Sequence, residues 1–188
     1  MPTHTIKNEW QIDDLIFGAT FLGTGDGVTP MIGFEILKME ADEGRQLKWI
    51  DPKEISDNAW TATLTFMGNR APLTQEQEAK RNEIGLNQVK YEKNLVRAAQ
   101  VLEEYKGRKI EAIVALEIGG ANIPGPMAAE AALGISLVDG DYCGRAVPEI
   151  AQVTPCLAGK SILPMVSIDK WGNICIIKES VNEEVVYL

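Results

Sequence analysis

The segment from 110 to 138 constrains the fold more than any other part of the chain. Apolar runs at 110–116 and 135–138 predict two buried strands, and the alanine-rich stretch between them, 124–133, predicts a helix. A strand, a crossover helix and a second strand make a βαβ unit, whose strands run parallel and end at the same edge of a sheet. We therefore predict an α/β fold with a parallel or mixed sheet. The length of 188 residues predicts a single domain, 1–188.

Weaker patterns predict the remaining elements. Helical spacing of apolar residues predicts helices, and alternating runs predict strands, the last two of which form a C-terminal β-hairpin. The predicted helices cover 13–19, 31–43 and 94–105, and the predicted strands cover 47–50, 59–67, 161–169 and 173–178. The polar stretch 71–86 predicts either a mobile excursion or a solvated helix. The tail 181–188 predicts either one more short strand or a linker.

Polar residues follow both strands of the βαβ unit. Glu117 and Asn122 come after the first strand, and Asp139, Asp141 and Arg145 come after the second. In open α/β sheets ligands bind beyond the carboxyl ends of the strands, so we expect these five residues to share one cleft. We also expect Arg145 to form an ion pair with a carboxylate there. The alternative is a salt-bridged turn with only a structural role.

A glycine-rich loop precedes the predicted helix at 31–43. It contains Gly23, Thr24, Gly25, Asp26 and Gly27. Free N–H groups at a helix start favour an anion, so this loop is a candidate for substrate contact at the rim of the cleft. The spacing matches neither a dinucleotide fingerprint nor a P-loop. The alternative is a tight turn between two helices.

Together the three segments resemble a known family. The chain has Leu-Gly-Thr-Gly at 22–25, Glu-Ile-Gly-Gly-Ala-Asn at 117–122, and Asp139 and Asp141 followed by Gly-Arg-Ala-Val-Pro-Glu at 144–149. In this order they resemble the amino-terminal domain of the S-methyl-thiohydantoin desulfurase-like family, often encoded beside ATP-dependent hydantoinase/oxoprolinase enzymes. The resemblance implies hydrolysis at a C–N or C–S bond of a cyclic ureide or thiohydantoin, with release of methanethiol in the latter case.

Such a ring needs a carboxylate to activate water and a donor to stabilise developing negative charge. The candidate catalytic residues are Glu117, Asp139, Asp141 and Arg145. The candidate substrate-binding residues are Gly23, Thr24, Gly25, Asp26, Gly27, Gly119, Gly120, Asn122, Gly144 and Glu149. Cys143 is either a nucleophile activated beside a cation or a small packed side chain.

The resemblance also predicts partners. Family members continue into a second domain, whereas this sequence ends at Leu188. We therefore expect a separate subunit that carries the second domain, an ATP-using hydantoinase-like subunit, or both. The apolar residues Val181, Val185, Val186, Tyr187 and Leu188 are candidates for the interface, unless they add an edge strand to their own sheet. The competing hypotheses are a non-catalytic structural or regulatory subunit and a small-molecule-binding module.

Composition excludes several classes of function. The chain has 27 acidic and 18 basic residues, a net charge of −9, which argues against nucleic acid and membrane surfaces as partners. No apolar run approaches the ~20 residues of a membrane span, and the amino terminus is too polar for a signal peptide. Three cysteines without CxxC spacing favour a reducing cytoplasm.

Metal chemistry has few candidate ligands. His4 is the only histidine and falls in a stretch that we expect to be frayed, which argues against a zinc site and against a Ser-His-Asp triad. A divalent cation bound by Glu117, Asp139, Asp141 and Glu149 is the one metal site that the sequence allows. Otherwise we predict no cofactor.

Overall fold

The computed structural model describes residues 4–24, 29–68 and 72–182. Its first helices and strands are β1 (His4–Thr5), α1 (Glu9–Leu22), α2 (Pro30–Asp42), β2 (Lys48–Trp49), β3 (Thr61–Leu64), α3 (Gln75–Glu83) and α4 (Asn94–Lys106). They are followed by β4 (Ala112–Ala115), α5 (Pro124–Leu133), β5 (Ser136–Asp141), α6 (Thr154–Leu157), β6 (Met165–Ile168) and β7 (Ile174–Ile177). The predicted α/β class and the βαβ unit are confirmed.

The central sheet is parallel, with strand order β3-β4-β5. Thr61 lies opposite Ala112, which lies opposite Ser136 on the other side. A parallel bridge between Ile50 and Val138 brings the end of β2 beside β5, and β1 pairs with β2 antiparallel. The carboxyl ends of β3, β4 and β5 therefore meet at one edge of the sheet, as the βαβ pattern predicts.

Helix α5 lies in the centre of the molecule. Pro124 occupies its first turn, where a missing N–H costs nothing, and Gly134 ends it in the left-handed conformation at φ 69°. Small side chains allow it to approach β4, β5 and α2 closely. The hydrophobic core around α5 contains residues from the helices and from the sheet. Its buried members are Ile12, Ile16, Leu37, Leu47, Ala62, Leu64, Ala99, Ile110, Ile113, Met127, Ala128, Ala129 and Leu137.

The structure extends and corrects the element boundaries. Helix α1 starts four residues before the predicted 13, because the side chain of Asn8 accepts a hydrogen bond from the Gln11 N–H and caps the helix. The polar stretch 71–86 contains a helix, α3, which begins with a capping box between Thr74 and Gln77. The expected fraying at His4 is wrong, since its ring stacks on Trp49 with centroids 5.6 Å apart.

The C-terminal β-hairpin is also confirmed. Strands β6 and β7 pair antiparallel, with Val166 opposite Ile176. The side chain of Asp169 holds the turn by accepting hydrogen bonds from the N–H groups of Trp171 and Gly172. The predicted strand or linker at 181–188 falls largely outside the described residues. Over the ranges that the structure describes, no helix is long and apolar enough to cross a membrane.

Candidate functional site at the carboxyl edge of the sheet

Glu117 and Asn122 form a buried polar clamp just beyond β4. The Glu117 Oε1 accepts a hydrogen bond from the Asn122 amide at 2.5 Å, and its Oε2 accepts one from the Val147 N–H at 2.7 Å. The Asn122 Oδ1 in turn accepts from the Phe66 N–H at 3.1 Å. Glu117 and Asn122 are only 6% and 2% exposed. This clamp therefore ties together the ends of β3 and β4 and the loop that follows β5.

The clamp changes the interpretation of Glu117. Both of its carboxylate oxygens are occupied by donors of the protein, and a side chain this buried does not reach solvent. A general base needs an oxygen within hydrogen-bond reach of the proton that it removes. The geometry of Glu117 fits a residue that positions the loops. Its predicted catalytic role stays a prediction.

Asp139 and Asp141 lie on a distorted part of β5. Ile113 lies opposite Leu137, whereas Ala115 lies opposite Asp141, so β5 carries two extra residues at this point. Asp139 is exposed as a result. The Asp141 Oδ1 accepts hydrogen bonds from the N–H groups of Cys143, at 2.8 Å, and Gly144, at 2.5 Å, and thereby turns the chain away from the strand. Such irregularities re-aim side chains beside functional sites.

The expected ion pair of Arg145 is wrong. Among the described residues no carboxylate lies within ion-pair distance of its guanidinium, and the Arg145 Nε donates instead to the Ala146 carbonyl at 3.0 Å. The carboxylates of Glu117 and Asp141 instead accept hydrogen bonds from amide and backbone N–H donors. Arg145 is exposed, as are Gly144 and Glu149, whose carboxylate accepts a hydrogen bond from the Gln152 amide at 3.4 Å.

The glycine-rich loop touches residues 117–122, which we call the clamp loop. A side chain at Gly23 would place its Cβ 2.6 Å from the Ile118 carbonyl oxygen, so this position has no room for one. Gly33 has even less room, since an added Cβ would clash with the Gly120 carbonyl oxygen. The ends of α1 and α2 therefore pack directly on 118–120. Thr24 follows with a positive φ of 58°, and Gly25, Asp26 and Gly27 lie outside the described residues.

The thiol of Cys143 is poorly suited to nucleophilic attack. Burial, together with the nearby carboxylates of Asp141 and Glu117, raises its pKa to about 11. Its Sγ lies 3.5 Å from the Gln152 carbonyl oxygen, as expected for a protonated thiol that donates a hydrogen bond. Because the thiolate is the reactive form, this environment favours the interpretation of Cys143 as a packed side chain.

No ready metal site is present in 4–24, 29–68 and 72–182, where no three His, Cys, Asp or Glu side chains converge. Of the four carboxylates considered for a cation, Glu117 is sequestered in the clamp, whereas Asp139 and Glu149 are exposed.

The sequence did not indicate two further surfaces. A cavity of about 730 Å³ lies along β3. None of the predicted site residues that the structure describes lines it, although Leu116 and Tyr142 from the adjoining loops do. On α1, the large side chains of Trp10, Phe17 and Phe21 are each at least 75% exposed. Their spacing of seven and four residues places them on one face of the helix.

Comparison with known proteins identifies the family. Residues 10–179 match the family model described as "S-Me-THD-like, N-terminal domain". The chain belongs to this family. The three segments that carry the resemblance in the sequence thus lie within the matched range, and in the structure the clamp loop touches both of the others.

Solved structures confirm the fold of this family member. The crystal structure of a protein from Chromobacterium violaceum is similar to it with a TM-score of 0.66 and 23% sequence identity. The similarity covers 97% of this chain and 46% of that chain, so the present chain spans about half of the solved protein. The chain has no significant match among curated proteins.

Proposed function

We propose that the chain is a subunit of a hydantoinase/oxoprolinase-related assembly that acts on a cyclic ureide or thiohydantoin-like substrate. The observation that carries the proposal is the junction of the three family segments at the carboxyl edge of the sheet. Gly23 packs on Ile118, and Glu117 bonds to Val147, so the clamp loop lies between the glycine-rich loop and the loop after β5. Ligands of α/β proteins bind beyond this edge.

In this proposal polar groups around the clamp hold the ring, with Asp139 and Arg145 exposed and Asp141 half-buried. Asp139 and Asp141 accept hydrogen bonds from ring N–H groups or activate a water molecule, and Arg145 stabilises negative charge that develops on a ring oxygen or nitrogen. For an S-methyl-thiohydantoin, water adds to the carbon that carries sulfur. The C–S bond then breaks, and methanethiol leaves with a proton while a hydantoin remains.

A thiol-release assay tests this chemistry. The chain, purified with whatever subunits accompany it, is incubated with an S-methyl-thiohydantoin, and methanethiol is measured with a chromogenic thiol reagent. Asp139→Asn and Arg145→Ala should reduce release while the fold is retained. Glu83→Gln changes an exposed carboxylate on α3 and serves as the control. Release that is unaffected by both site variants would contradict the proposal.

A non-catalytic role is the second candidate, and specific observations favour it. Both carboxylate oxygens of Glu117 accept hydrogen bonds from the protein, which disfavours a role as general base. The Cys143 thiol has a pKa of about 11, which disfavours a role as nucleophile. In this case the same loops bind the ring without turnover. Calorimetric binding of hydantoin by the chain, without release of product from any tested ring, would favour this second candidate.

The proposal includes a partner subunit that carries the second half of the family architecture, an ATP-using subunit, or both. The exposed stripe of Trp10, Phe17 and Phe21 supports it, since large apolar side chains grouped on one surface mark interaction sites. Val181 is fully exposed as well, whereas Val185–Leu188 lie outside the described residues. We also propose a cytoplasmic location, supported by three cysteines that lack CxxC spacing.

A further inference from the structure

The cavity beside β3 has the shape of a missing strand. It is lined by every residue from 60 to 67 on one wall and by every residue from 160 to 168 on another, and residues of α4 and of 150–158 complete the lining. Consecutive side chains of a strand point to opposite faces, so a pocket on one face of a sheet touches alternate residues. Contact with every residue shows that the cavity runs along the backbone edges of both segments.

One edge of β3 faces the cavity, and no described strand pairs with the backbone groups on it. The Trp60 carbonyl accepts a hydrogen bond from the Glu111 N–H, and the Phe66 N–H bonds to Asn122, so the even-numbered residues face β4. The backbone groups of Thr61, Thr63 and Thr65 therefore face the cavity. Within the described ranges no strand pairs with this edge, and β6 likewise pairs with β7 on one edge only.

The length and charge of the cavity narrow down its occupant. Eight residues of extended chain span about 26 Å, which suits a polypeptide better than a single ring. Over the described ranges no acidic residue lines the cavity, and Lys160 is the only charged residue there that does. An occupant with apolar side chains and one carboxylate matches this lining.

We propose that the groove between β3 and β6 binds one extended, largely uncharged segment of a partner polypeptide, which pairs with the edge of β3 and places a carboxylate near Lys160. Addition of a strand to a free edge is an established mode of peptide recognition. Leu116 and Tyr142 line the groove and directly adjoin the clamp loop and Asp141. The bound segment would thus support the carboxyl-edge loops from one side.

Selection from a phage-displayed library of random nine-residue peptides tests the proposal. Enriched peptides should be extended, apolar at alternate positions and acidic at one position. As synthetic peptides they should slow hydrogen exchange of the Thr61, Thr63 and Thr65 amides. The Thr63→Pro variant removes one groove-facing donor and should weaken binding on the order of tenfold, whereas Thr63→Val keeps that donor and should bind like the parent.

Two further measurements keep the proposal falsifiable if Thr63→Pro fails to fold. Methylation of the peptide's own backbone amides should weaken binding to the unmodified protein, and Lys160→Gln should weaken binding of the acidic peptides more than of their amide analogues. The absence of enriched peptides, binding that tolerates backbone methylation, or protection of other segments would overturn the proposal. It would also be overturned if a dimer of this chain, or hydantoin alone, protected the β3 amides. None of these results depends on turnover of a ring substrate.

Discussion

The substitution Glu130→Gln should make the protein markedly less sensitive to alkaline pH. Glu130 lies on α5, is 1% exposed, and its Oε2 has no hydrogen-bond partner among the described residues. Burial raises the pKa of this carboxyl from its usual 4.5 to about 7, although the Lys48 ammonium and the Lys48 N–H both act in the opposite direction. The folded protein thus favours the neutral carboxylic acid.

The magnitude follows from the shift. At about 1.4 kcal/mol for each tenfold change in the dissociation constant, a pKa raised from 4.5 to about 7 corresponds to about 3 kcal/mol. Because the folded-state pKa is the higher one, this stability is fully present below 4.5 and is lost as the pH rises through 7. Glutamine cannot ionise, and whatever its own amide costs is the same at every pH.

The assay is urea unfolding of both proteins, followed by circular dichroism at about pH 5, 7 and 8.5. Relative to Glu130→Gln, the parent should lose about 2–3 kcal/mol of unfolding free energy between the lowest and highest pH. Glu35→Gln, an exposed position on α2, is the matched control and should follow the parent. A difference between parent and Glu130→Gln that stays constant with pH would refute the reasoning.

Three further predictions follow from close contacts and local charge. In Gly18→Ala the added methyl group meets open space, and the substitution should stabilise the protein by about 0.5–1 kcal/mol in thermal unfolding. In Gly33→Ala the methyl group meets the backbone of Gly120, and the substitution should destabilise the protein by about 1–3 kcal/mol. Equal effects of the two substitutions would show that α2 can move away from Gly120. Glu117→Gln replaces one acceptor of the clamp by a donor and should lower the free energy of unfolding in urea by about 1–3 kcal/mol. Unchanged stability together with lost turnover would instead identify Glu117 as a catalytic base. Cys143 should react with iodoacetamide far more slowly at neutral pH than the exposed Cys175, as followed by peptide mass spectrometry, and the reverse order would contradict its raised pKa.

The parts of the fold that the sequence predicted well depend on local patterns. The βαβ unit combines apolar runs with a helix of small residues, and these patterns determine the parallel pairing of β4 and β5. The start of α1 was missed because a side-chain cap at Asn8, outside the apolar pattern, determines it. Fraying was wrongly expected at His4 because its pairing and ring stacking involve Trp49, far along the chain.

The site was predicted less completely, since its details depend on tertiary contacts. Convergence of the loops after β4 and β5 follows from strand direction alone. Arg145 forms no ion pair among the described residues, while Glu117 and Asp141 accept N–H donors instead, and a residue pattern does not reveal which N–H groups these are. The groove beside β3 escaped notice because its walls, 60–67 and 160–168, are distant in sequence and only meet in the folded chain.

The most direct test of the proposed ring-binding site is a nuclear magnetic resonance titration, in which hydantoin is added to the ¹⁵N-labelled protein. Native partner subunits are included where they are required. Binding at the carboxyl edge predicts shifts of the amide signals of Gly119, Gly120 and 141–145, with no comparable change along β3. In the Arg145→Ala variant these shifts should be smaller at the same hydantoin concentration. Shifts confined to the residues that line the β3 groove, or no shifts at saturating hydantoin, would contradict the account.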